Sequence, residues 1–91
     1  MDLNTQLLKS NGYKVGRPNK AGDVKATRDF LISDGILRVQ VMFFGNGASE
    51  IHIKRTRSSQ GLPDKEVKIN PRNHGMAANL ALDATAMFNK L

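Results

Sequence analysis

A chain of 91 residues is the length of a single domain with a small core, burying roughly 60–65% of the surface that its unfolded form exposes. Hydrophobic residues make up 40% of it, too many for a disordered chain, and the lack of cysteine excludes a disulfide framework, a thiolate nucleophile and any Cys-ligated zinc site. Fourteen Lys and Arg against eight acids leave a formal net charge of +6, an excess that favours polyanionic partners through long-range attraction.

The first element is a short helix over Asp2 to Asn11, with Leu3, Leu7 and Leu8 spaced on one side and "SNG" ending it. The stretch "YKVGRPNKAGD" follows, with Lys14, Arg17 and Lys20 among glycines and a proline. Pro18 drives Arg17 toward extended geometry, and Tyr13 to Lys25 reads as irregular. A strand pattern starts at Ala26 and runs through "TRDFLI" to the turn "SDG".

"ILRVQVMFF" alternates with period two: Leu37, Val39, Val41 and Phe43 point one way, Ile36, Arg38, Gln40, Met42 and Phe44 the other. "GNG" reverses the chain, and "SEIHIKRTR" alternates again, so Ile36–Phe44 pairs with Ser49–Arg57 as a hairpin. The loop "SSQGLPD" leads to a short strand "KEVKI", and Pro71 ends the ladder because it has no N–H to donate. From Asn73, a residue type favoured at the N-cap, one helix runs to Leu91 with Met76, Ala77, Leu80, Ala84, Met87, Phe88 and Leu91 on one stripe.

These elements define an α+β two-layer sandwich in the order α-β-β-β-(β)-α. Its antiparallel sheet has three or four strands, with the N- and C-terminal helices packed on one face. The other face shows Arg38, Gln40, His52, Lys54 and Lys68 to solvent, and Met42, Phe44 and Ile36 form an apolar patch on it. No apolar run approaches the ~20 residues that span a bilayer, and "MDLNTQLLKSNG" lacks the basic and apolar regions of a secretory signal. A cysteine-free chain of this kind is expected in the cytoplasm, without a membrane partner.

Three basic stretches carry the functional expectation. Besides the loop with Lys14, Arg17 and Lys20, "IKRTRSS" supplies Lys54, Arg55 and Arg57, and "NPRNHG" places Arg72 and His74 where a helix start exposes N–H groups to an anion. Lys14, Arg17, Lys20, Lys54, Arg55, Arg57 and Arg72 are therefore the candidate nucleic-acid contacts. His52 and His74 match no metal-ligand spacing, and no catalytic arrangement stands out, so no cofactor, no metal and no enzyme activity is expected. The leading expectation is a small basic nucleic-acid-binding protein, DNA or RNA, acting through phosphate contacts and capable of forming a homodimer. The alternative is a protein-binding inhibitor or adaptor, of the kind that viruses and mobile elements encode, docking on an acidic surface of a host protein.

Two resemblances accompany these residues. Gly16, Arg17 and Pro18 resemble the core of an AT-hook, with Val15 where that motif has its first arginine; the likeness implies an extended arm in the minor groove. The layout, with "LNTQLLKSNG" first and "HGMAANLALDATAMF" last, resembles a double-stranded-RNA-binding domain. That resemblance implies RNA contacts at Gln6 and Lys9 and at Arg72 with His74, although the family's lysine cluster and long first strand loop have no counterpart here.

Overall fold

The computed structural model describes residues 2–59 and 63–89. Gln60 to Leu62 of the second loop, and Lys90 and Leu91 of the expected last helix, lie outside the described residues. Eight elements follow one another: α1 (Leu3–Ser10), β1 (Lys14–Val15), β2 (Val24–Ile32), β3 (Gly35–Phe43), β4 (Ser49–Arg57), β5 (Pro63–Ile69), α2 (His74–Ala81) and α3 (Ala84–Asn89). The strands form one antiparallel sheet in sequence order, each beside the next. With the helices at the two ends of the chain, this is the expected α+β arrangement with a fifth strand added.

Alternation sets the two faces. In the β3–β4 ladder Val39 opposes Ile53 and Val41 opposes Ile51, and all four are fully buried. Burying each such side chain contributes about 1.5–3 kcal/mol. Ala26, Leu37 and Phe43 join them, and Leu8, Ala77, Ala78, Ala81 and Met87 cover them from the helices. The alanines let α2 lie close over β3 and β4, while α1 packs against α2 and β1. Among the described residues no helix or strand covers the opposite sheet face.

Departures from the expected elements have local causes. Lys14 and Val15, expected to be irregular, pair with Thr27 and Ala26. Tyr13 brings them there: its ring is buried, its N–H donates to Leu8 O at 3.0 Å and its hydroxyl to Ala81 O at 2.7 Å. β2 starts at Val24, two residues earlier than its alternation suggests. In α1 the buried positions are Thr5 and Leu8, while Leu3 is 82% exposed and Leu7 also faces out. The last helix is two helices: Asp83 accepts from Ala86 N–H and starts α3 afresh, and Met76 turns outward. Ile36 does not join Met42 and Phe44; it lies opposite Leu31, which is 88% exposed, toward the other end of the bare face.

Candidate nucleic-acid interface

The bare face is built from every second residue of five strands. Lys14, Thr27, Gln40, His52 and Lys68 follow one another in register across it, one from each strand. On one side of this row stand Lys25, Met42 and Glu50; on the other, Asp29, Arg38, Lys54 and Glu66. An open groove of about 670 Å³ crosses the β1–β2 margin, lined by Gly12, Lys14, Lys25, Thr27, Arg28, Asp29, Arg38 and Gln40. It meets a smaller recess of about 140 Å³, between Arg38, Gln40, His52 and Lys54.

The basic loop is held against the sheet's end. Asn19 Oδ1 accepts from the N–H groups of Ala21 and Asp23, both at 2.9 Å, and Asp23 Oδ1 accepts from Gly45 N–H at 2.8 Å. A side chain at Gly45 would begin 2.0 Å from Ala21 O, so the loop and the β3–β4 turn touch backbone to backbone. The segment before α2 docks on the same turn. His74 Nε2–H is shared between Phe44 O and Ala48 O, 3.0 Å from each, and the buried Ser49 hydroxyl lies 3.0 Å from Pro71 O. The segments that carry Arg17, Lys20 and Arg72 therefore meet at one end of the strands, Arg17 in a recess with Asp2 and Thr5 of α1, while Lys14 and Lys25 line the groove on the bare face.

Pairing divides the expected contacts. Among the described residues no carboxylate lies within ion-pair distance of Lys14, Arg17, Lys20, Lys25 or Arg72. Toward the opposite end Lys54, Arg55 and Arg57 each face an acid. Thr56 pairs with Pro63 while Arg55 pairs with Lys65, so Asp64 is the extra residue of a bulge in β5. Its carboxylate takes Arg55 Nε at 3.0 Å and Arg57 Nε at 2.6 Å, and Arg57 also reaches Asp34 of the β2–β3 turn. The hydrogen bonds from Arg55 and Arg57 hold the Asp64 carboxyl below the usual range. Lys54 stands 3.5 Å from Glu66.

Carboxylates on the bare face are also occupied. Arg38 grips Asp29 with two bonds, of 2.7 and 3.0 Å, which holds the Asp29 carboxyl below its ordinary value. Glu50 bonds His52 and lies 3.5 Å from Lys68; its carboxyl is lowered by the His52 hydrogen bond first and by Lys68 after it. Of the expected contacts, Lys14, Arg17, Lys20 and Arg72 thus share the unpaired end, whereas Lys54, Arg55 and Arg57 belong to the paired one. Lys25, Arg28 and Arg38 line the groove although the sequence did not mark them as contacts. Lys25 was legible, because it follows the basic loop and alternates with Thr27 on the open face. Arg28 was not: it points to the helix side, stacks 4.3 Å over Phe30, and bonds Asn11 O around the sheet's margin. The arm implied by Gly16, Arg17 and Pro18 is a pinned loop, and Gln6 and Lys9 are exposed on α1.

Among the described residues no helix is long and apolar enough to cross a membrane, and no three metal-binding side chains gather in one group. Compared with protein-family models, curated proteins and solved structures, the chain matches none.

Proposed function

We propose that the protein binds nucleic acid through its backbone phosphates, using the end of the molecule formed by Lys14, Arg17, Lys20, Lys25 and Arg72. The carrying observation is that these five cations lie toward one end of the strands with no carboxylate within ion-pair distance among the described residues, Lys14 and Lys25 sharing one groove, whereas Lys54, Arg55 and Arg57 toward the opposite end each stand beside an acid. A cation without an internal partner keeps its full attraction for phosphate and releases a condensed counterion on contact.

The chemistry favours positioning contacts over base readout. Tyr13 and Phe43 are buried, and Phe30 lies beneath Arg28 on the helix side, so these rings are not offered for stacking. Lys14, Lys25, Thr27 and Gln40 instead offer ammonium, hydroxyl and amide donors to phosphate oxygens along the groove.

The test is a fluorescence-anisotropy titration of a labelled duplex and a labelled single strand across a series of salt concentrations. If all five cations engage duplex phosphates, log affinity falls against log salt with a slope of about −4.5, each phosphate supplying about 0.9. A salt-independent affinity overturns the proposal. Lack of affinity for either nucleic acid at low salt overturns it too, and would point the same cations toward an acidic protein surface.

A further inference from the structure

The sheet ends in two unequal margins. At one, β1 and the basic loop cover the start of β2. At the other, β5 is paired, among the described residues, with β4 alone, which leaves the outward side of its backbone as the sheet's edge. An open edge is a template for a further strand. On the core side of this edge Val67 and Ile69 are only half-buried, whereas Ile51 and Ile53 beside them on β4 are fully covered. On the bare face Glu66 and Lys68 both point outward, their side chains 58% and 56% exposed.

We propose that β5 pairs antiparallel with β5 of a second copy, about a two-fold axis through Val67. The choice of partner and register rests on charge. A symmetric pairing that keeps both helix layers on one side must centre on a single residue, because residues facing each other share a side of the sheet. Centring on Glu66 or on Lys68 sets that residue against its own copy, like charge against like. Centring on Lys65 does the same and also brings Asp64 opposite the partner's Glu66. Centring on Ile69 leaves Lys68 facing the partner's Asn70.

Centring on Glu66 also sets Asp64 against the partner's Lys68, but only the Val67 register brings opposite charges together without setting a charged residue against its own copy. It sets Glu66 against the partner's Lys68 twice over, and sets Val67 against the partner's Val67 beneath. Directly opposed charges and apolar pairs are the stabilising units of an antiparallel ladder. The contacts these side chains already make, Glu66 with Lys54 and Lys68 with Glu50, are single exposed approaches of 3.5 Å and stand on the β4 side, away from the edge. The resulting ten-stranded sheet has one continuous bare face, with the grooves that hold Lys14 and Lys25 at its two outer margins, about 40 Å apart at the usual strand spacing. This pairing does not depend on nucleic acid.

The test is the mass in solution of nucleic-acid-free protein, by light scattering or sedimentation equilibrium, at the highest concentration it tolerates. The wild type is expected to be a dimer. Glu66→Lys opposes two lysines across the seam and Lys68→Glu opposes two glutamates, so each alone is expected to be a monomer. Mixed in equal amounts, they are expected to form a dimer containing one of each. A monomeric wild type, a dimer that persists in both variants, or a mixture of two folded variants that stays monomeric each overturns the proposal. Should a reversal disturb the fold, as seen by circular dichroism, Glu66→Gln and Lys68→Met serve instead. Both are expected to weaken self-association several-fold, and unchanged dimerisation in both overturns the proposal.

Discussion

Tyr13 sits at the head of the basic segment with its ring buried and its hydroxyl donating to Ala81 O at the last residue of α2. Burial pushes its phenol up to about 12, well above the unfolded value near 10, against a smaller opposing effect of Arg28. The folded form therefore keeps its proton where the unfolded chain releases it. This contribution to stability is complete below pH 10 and is lost as the pH rises through 12. Tyr13→Phe removes the hydrogen bond and the titration together. It is expected to cost about 1–2 kcal/mol at pH 7 and to flatten the decline in stability between pH 10 and 12, both read from urea melts. The difference between the two proteins isolates the phenol. Asp64 gives the acid counterpart. Its carboxyl is lowered by Arg55 and Arg57, so its stabilisation is full above the ordinary carboxylate range near pH 4 and is lost as the pH falls below it. Asp64→Asn is expected to lower the melting temperature at pH 7 and to weaken the dependence on pH below 4, measured by thermal melts from pH 2 to pH 7.

At the level of elements, period-two alternation makes β3 and β4 legible: it places Ser49–Arg57 with its observed ends, and starts and ends Ile36–Phe44 one residue late. Strands set by their own side chains can be read in this way, because the buried face is written into the pattern. β1 is not legible, since two residues carry no period and their pairing depends on Tyr13 anchoring to a helix at the other end of the chain. The break at Asp83 is written locally, as a carboxylate three residues before Ala86 N–H, but an apolar stripe running across it conceals the signal. The basic loop has an irregular sequence, yet its Asn19 and Asp23 bonds and its contact with Gly45 give it one position. Gly45→Ala tests that rigidity. Its methyl group would meet Ala21 O, and the strain is expected to cost about 1–3 kcal/mol or to be relieved by shifting the loop. Either way, the affinity for duplex measured by anisotropy should fall while circular dichroism keeps its native form.

Over the whole molecule, composition announces an excess of cations but not where they are cancelled. Cancellation depends on pairs of distant residues, such as Asp34 and Asp64 with Arg57, or Asp29 with Arg38. "IKRTR" is the densest basic run in the chain, yet in the fold Lys54, Arg55 and Arg57 all stand beside carboxylates. The sparser cations of Lys14–Lys25 remain available, because Asp23, the one acid in that stretch, is bound to backbone N–H and amide groups. Counterion release separates these two populations. A cation already facing a carboxylate frees little on meeting phosphate, whereas an unpaired one contributes its full share to the salt dependence. Replacing Lys14 and Lys25 by Ala is thus expected to make the log–log salt slope shallower by about 1.8, at about 0.9 for each phosphate no longer neutralised. Replacing Lys54 and Arg57 by Ala is expected to leave the slope unchanged while lowering the melting temperature, because Asp64 and Asp34 are then left without Arg57. The reverse result, with the slope following Lys54 and Arg57, would move the interface to the far end of the molecule.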